Sequence, residues 1–264
     1  MKTISLAFIV MLSALTCKEK VIVLQTESIQ ITSPNDIVPL GDSTAAPILY
    51  QNIPNFEGLT VEESKEKFIS AVLPAILVAK YRLHNDRESV KLLTGKEKWS
   101  PEDSAFFNLQ IARFDANDST GLLSRMNTHP NSIILAQAIV ESGWGSSRFF
   151  QDANNLFGIW SYNSNEPRIE ASLSRGKRKI YLRKYEDISE SITDYFETVG
   201  RSRAYRFFRK ERDQTNDVAK LLPLLRYYSE RRDDYVAQLE TIIAQNDLTK
   251  YDDYQIDPSY LVER

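Results

Sequence analysis

One stretch near the middle of the chain restricts the fold more than any other: PNSIILAQAIVESGWG, residues 130–145. Pro130 suits a helix start, because its missing N–H would have no intrahelical partner there. Ile133, Ile134, Ala136, Ala138, Ile139 and Val140 then leave hardly any polar side. A helix of this kind must be surrounded by other elements. Gly143 and Gly145 stop it, as glycines past a helix end do. A chain of 264 residues is long enough to supply the surroundings.

Glu141 lies in the last turn of that helix. Burial disfavours an ionised carboxylate, and the negative end of the helix dipole disfavours it further. The expected result is a carboxyl that keeps its proton towards neutral pH, which a general acid requires. The plain alternative is a glutamate bonded to backbone amides at a helix end. Trp144 next to it is expected either to wall the carboxyl or to stack on a sugar ring.

Composition narrows the chemistry. One Cys and two His, His84 and His129, leave no intrachain disulfide framework and no zinc ribbon. They also leave little room for a Ser-His-Asp triad. The 36 acids and 13 tyrosines are the more plentiful reactive groups. No metal and no organic cofactor is implied. A net charge of −3 argues against a broad nucleic-acid surface.

Residues 1–17, MKTISLAFIVMLSALTC, have the pattern of an export signal, with Lys2 ahead of an apolar run too short to span a bilayer. Cys17 ends the run, resembling a bacterial lipoprotein signal, although Thr16 stands where Gly, Ala or Ser is usual. Cys17 is therefore a candidate lipid anchor, against a cleaved soluble signal. The expected location is the bacterial periplasm or cell envelope. Residues 18–58 are rich in Ser, Thr, Pro, Asn and Asp and read as a flexible tether.

Residues 59–128 read as a helical extension. Thr60 and Glu63 have capping-box spacing, Pro74 should kink or break the helix, and Ser100-Pro101 opens another. Residues 129–248 form the central domain. Within it LFGIW, residues 156–160, has strand character. PRIEASL and KIYLRKY read as a hairpin turning near Gly176, and helices follow from Asp187 to about 246. Residues 249–264 show no clear periodicity and read as a loose tail. The class is mainly α (α+β) with one small β-hairpin.

Four segments carry a family resemblance: Ala136-Gln137-Ala138, Glu141-Ser142-Gly143-Trp144-Gly145, Ser147-Arg148-Phe149 and Asn154-Asn155-Leu156-Phe157-Gly158. YYSERRDDYVAQLETII, residues 227–243, adds a fifth. Together they resemble the glucosaminidase domain of glycoside hydrolase family 73, Bax-like branch, from about Asn131 to Leu248. The resemblance implies a lysozyme-like helical domain with the hairpin beside a cleft. It implies a hydrolase, a glycosidase that cuts the β-1,4 bond after N-acetylglucosamine in cell-wall peptidoglycan. It maps the acid onto Glu141 and suggests a partner carboxylate on the hairpin. Glu170 is favoured there, Glu166 is the other choice, and the substrate's own acetamido oxygen is a third. Retention or inversion stays open.

Tyr228 is expected to act at the catalytic centre and Tyr235 to bind substrate. Trp144, Asn155, Phe157 and Trp160 are expected to line the cleft, with plain core packing the alternative for Phe157 and Trp160. Arg168, Arg175, Lys177, Arg178, Lys179, Arg183 and Lys184 make the hairpin basic, which would draw in an anionic glycan. RSRAYRFFRKER, residues 201–212, reads as an amphipathic helix with a solvated basic face rather than a nucleic-acid patch. No protein partner is expected. Two other functions compete with wall hydrolysis: a peptidoglycan-binding module without turnover, and an endo-β-N-acetylglucosaminidase acting on another glycan.

Overall fold

The computed structural model describes residues 22–171 and 179–263. The export-signal and Cys17 expectations fall outside them, as does the hairpin turn with Arg175, Lys177 and Arg178.

The described residues begin with four short strands, β1 (Ile22–Leu24), β2 (Glu27–Gln30), β3 (Thr44–Ala45) and β4 (Ile48–Gln51). The long helix α1 (Val61–Thr94) follows, then α2 (Pro101–Phe114) and α3 (Ser119–Arg125). The apolar helix is α4 (Asn131–Ser142), and α5 (Arg148–Ala153) leads to the hairpin of β5 (Arg168–Glu170) and β6 (Tyr181–Arg183). Helices α6 (Ile188–Arg201), α7 (Arg206–Arg212), α8 (Val218–Leu221) and α9 (Asp233–Gln245) precede β7 (Gln255–Ile256) and β8 (Leu261–Glu263). The fold is mainly α with small two-stranded sheets.

Helix α1 starts where the sequence says. Thr60 accepts from the Glu63 N–H at 3.2 Å and Glu63 Oε2 accepts from the Thr60 N–H at 2.8 Å, a closed capping box. Pro74 does not end it. The helix runs 34 residues without interruption, and residues 68–79 are buried throughout. Packing on every side outweighs the one backbone hydrogen bond that proline removes.

Helix α4 lies in the centre, fully buried from Asn131 to Ile139 between α1, α9 and the 248–251 turn. Gly143 then takes φ 57°, Trp144 58° and Gly145 80°, so three left-handed residues in a row turn the chain out of the helix. At Gly145 a β-carbon would come within 3.1 Å of Phe150 and 3.2 Å of Phe68.

Two expected loose segments are ordered by each other. The segment from residue 22 to 58, expected as a tether, pairs instead with the segment expected as a free tail. β1 runs antiparallel to β8, with Ile22 opposite Glu263, and β3 runs parallel to β7. β2 and β4 pair parallel, and β4 buries Ile48, Leu49 and Tyr50 against α1. Short apolar runs such as IVL and ILY supply strand edges and core contacts that Ser- and Pro-rich flanks hide in the composition. LFGIW is likewise no strand; only Trp160 bridges, to Leu182. In residues 201–212, Arg209 and Arg212 point inward and donate to the Val199, Ser202 and Ser124 carbonyls, so that basic face is only partly solvated.

Gly145→Ala combines a strained φ with a clash against two phenyl rings. It should lower unfolding stability by about 1–3 kcal/mol, read from chemical denaturation midpoints.

Candidate active site

Glu141 is placed by its helix. It sits one turn after Gln137, on the same face of α4. Helix α9 brings Tyr235 against that face. The Tyr235 hydroxyl donates to Glu141 Oε1 at 3.0 Å and accepts from Gln137 Nε2 at 3.1 Å. The far side of Glu141 opens into a cleft of about 510 Å³. Phe157, Ile159, Trp160 and Tyr162 form one wall; Thr198, Arg201, Tyr205 and Tyr228 form the other, with Arg183 at the edge.

The electrostatics follow from this placement. Burial raises the Glu141 pKa, and the Tyr235 hydroxyl and the Arg231 charge offset only part of that rise. Burial likewise pushes the hydroxyls of Tyr235, Tyr228 and Tyr205 up, the last to about 12, so all three stay protonated donors. Tyr228 lies nearly parallel to Tyr235 at 5.8 Å between centroids, so the two rings form one aromatic floor.

The wall opposite is built by an amide. Asn155 Oδ1 accepts from the Ile159 N–H at 2.9 Å, and its Nδ2 donates to the Ile159 and Arg183 carbonyls at 3.0 and 2.9 Å. Ser161 N–H donates to Tyr181 O at 2.8 Å. Residues 159–161 are thereby hung on β6, which carries Trp160 and Tyr162 to the cleft mouth, 40% and 84% exposed. Phe157 stacks on Tyr195 at 4.4 Å and reaches the cleft with its edge.

Among the residues expected at the site, the cleft gathers Glu141, Phe157, Trp160 and Tyr228, and Tyr235 holds Glu141 from behind. Three do not reach it. Asn155 spends its amide on the backbone and is buried, so it shapes the wall instead of reading substrate. Trp144 turns the other way, edge-on to Phe68 at 5.6 Å with the Lys65 ammonium over its ring. The left-handed turn at 143–145 aims it at α1. Glu170 lies on the exposed face of the hairpin, paired with Lys179 at 2.9 Å and absent from the cleft lining. The strand register there points its side chain outward. Glu166 faces Arg183 Nε at 3.4 Å, so it meets the cleft only through that arginine.

The residues that sequence reading left out are Ile159, Tyr162, Arg183 as a cleft residue, Thr198, Arg201, Tyr205 and Gln137. Gln137 had a usable signal: it is a polar side chain on an otherwise apolar helix, four positions before the acid. Arg201 and Tyr205 had none, because they come from a segment that reads as a surface helix.

Residues 119–248 match the family described as mannosyl-glycoprotein endo-beta-N-acetylglucosaminidase, Glucosaminidase for short. This part of the chain is a glucosaminidase-family domain. The chain is 26% identical over 185 residues to Protein bax of Escherichia coli (strain K12), covering 65% of each. It is 31% identical over 137 residues to Exo-glucosaminidase LytG of Bacillus subtilis (strain 168), covering 48% of this chain and 47% of that one. It therefore spans less than two thirds of either relative. The crystal structure of a peptidoglycan hydrolase from Sphingomonas sp. A1 aligns at 25% identity with a TM-score of 0.39, over 53% of this chain and 91% of that chain.

Glu141 should cost the fold stability wherever it is ionised. Its folded pKa is raised, so its ionised form is disfavoured in the folded state above the unfolded value. Glu141→Gln should therefore leave thermal stability unchanged near pH 4. It should raise stability progressively as pH climbs from the unfolded pKa to the folded one, and level off above that. Melting curves across that range read the trend.

Proposed function

We propose that this chain is a peptidoglycan hydrolase that cuts the β-1,4 bond after N-acetylglucosamine, with Glu141 as general acid. The observation that carries the reading is one carboxyl with a raised pKa, half-buried at the base of an aromatic-walled cleft. Trp160 and Tyr162 offer apolar faces to pyranose rings, and the Arg183 and Arg201 charges beside them are met by Asp194 and Glu166.

In this mechanism the Glu141 proton passes to the glycosidic oxygen as the bond to the anomeric carbon breaks, and the leaving sugar departs as a neutral alcohol. Positive charge grows on the ring that remains. Glu141 is the one carboxylate among the described residues that line the cleft, since Glu170 is turned outward and Glu166 faces Arg183. That favours the acetamido carbonyl oxygen of the same sugar as the group that bonds to the anomeric carbon. Glu141, now ionised, then takes a proton from the water that opens the ring so formed. Tyr235 stays hydrogen-bonded to Oε1 in both halves. The separation of a half-buried acid at the cleft base from an ion-paired acid on the hairpin supports a single-carboxylate reading.

We extend the proposal to location. Residues 1–17 would direct export to the cell envelope, and Cys17 would carry lipid. Among the described residues no helix is long and apolar enough to cross a membrane. Labelled palmitate should enter the wild-type chain and not Cys17→Ala when each is expressed in a bacterium.

Wall hydrolysis should fall as pH rises past the raised Glu141 pKa, because the acid form is the active one. Glu141→Gln should lower kcat by roughly 10²–10⁴. Zymography on cell walls and a pH–rate profile measure both. Clearing that persists undiminished in Glu141→Gln removes the acid role, and binding without any wild-type clearing points to a wall-binding module. Mass spectrometry of the fragments should find N-acetylglucosamine at the new reducing end. Release from a glycoprotein glycan in place of the wall would transfer the same chemistry to the other substrate.

A further inference from the structure

Behind Glu141 the polar groups do not stop at Tyr235. Gln137 Oε1 accepts from the Tyr195 hydroxyl at 2.5 Å, and the Tyr195 oxygen lies 2.9 Å from His129 Nε2. All four residues are 2% exposed or less. We propose that His129, Tyr195 and Gln137 form a one-way hydrogen-bond chain that fixes the Tyr235 proton on Glu141 Oε1, and so assigns the catalytic proton to Oε2. The inference rests on the reading of Glu141 as the acid. His129, Tyr195 and Gln137 are positioning residues; none of them lines the cleft.

The direction of each bond follows from the geometry. A separation of 2.5 Å suits O–H···O and is too short for N–H···O. The amide oxygen of Gln137 therefore faces Tyr195, and its nitrogen faces Tyr235. The Tyr235 oxygen receives that N–H, so its single proton goes to Glu141 Oε1. At the other end, the single Tyr195 proton is committed to Gln137. Its oxygen must then accept from His129, which places a proton on Nε2. His129 Nδ1 has no partner among the described residues, so a proton there would be a buried orphan donor. Burial, helped by the Arg212 and Lys80 charges, keeps the ring from taking a second proton.

Every donor thus points towards the carboxyl. Aligned bonds polarise one another, which strengthens the last of them. The two Glu141 oxygens become inequivalent: Oε1 is held as an acceptor, and the acid proton has only Oε2. The other titratable groups facing Glu141 are Tyr205, Tyr228 and Arg231, with Arg183 and Arg201 on the cleft.

Tyr195→Phe tests this while keeping the ring that stacks on Phe157. Without the hydroxyl, the Gln137 amide can turn over and capture the Tyr235 proton, and Glu141 loses its donor. In full chain labelled with 13C-carboxyl glutamate, with Glu141 assigned from Glu141→Gln, the midpoint of Glu141 should rise by about half a pH unit or more. Wall hydrolysis should show its alkaline limb moved up by the same amount, with kcat lowered about tenfold and KM unchanged. A Tyr195→Phe protein that keeps its near-ultraviolet circular dichroism, yet titrates at Glu141 as wild type does, overturns the chain. Should Tyr195→Phe not fold, Gln137→Glu, whose two oxygens both accept and so draw the Tyr235 proton away from Glu141, is titrated by the same criterion. The titration is read without substrate. A shifted midpoint alongside undiminished hydrolysis by Glu141→Gln would therefore sink the acid role and leave the chain standing.

Discussion

Helix α4 is enclosed by the rest of the protein, so each polar atom it carries must find a partner inside. Four partners, Lys80, Tyr251, Asp252 and Tyr235, come from distant parts of the chain. Asn131 and Ser132 at its start bind Lys80, Tyr251 and Asp252, which ties the C-terminal segment to α1. Gln137 and Glu141 bind Tyr235, which brings α9 to the face that becomes the cleft floor. The same requirement that closes the core therefore also sets the acid in position. One aromatic hydroxyl, that of Tyr235, holds the inner side of the carboxyl while its outer side faces the cleft.

Much of the skeleton was legible because it depends on local chemistry. Thr60 with Glu63, Ser100 with Pro101, and Asp187 each cap a helix where their spacing says, because a cap is satisfied within one turn. The burial of α4 and the raised acid at its end were also readable, since both follow from one run of residues. The hairpin strands were visible as alternation, with their pairing Arg168 to Arg183 added by the fold.

What escaped reading depends on partners far away in sequence. Nothing in residues 22–51 announces that their mates are α1 and the last ten residues, so polar composition dominated the reading and order was missed. Trp144 and Asn155 belong to the most recognisable segments, yet both serve structure: one packs on α1, the other suspends the 159–161 wall. A short motif tells which side chains are needed, and not which way each one faces. Glu170 shows the same gap at its smallest, since one step along a strand separates the cleft side from solvent.

The pairing of β1 with β8 has a topological consequence. Ile22 and Glu263 face one another across an antiparallel ladder, about 5 Å apart by the usual strand spacing. The first and last of the described residues thus share a single seam. Loosening either end strips hydrogen bonds from the other, so shortening the chain on one side should unravel the opposite side as well. The seam also means that a backbone relinked there and cut open at an exposed loop would keep every element in its place.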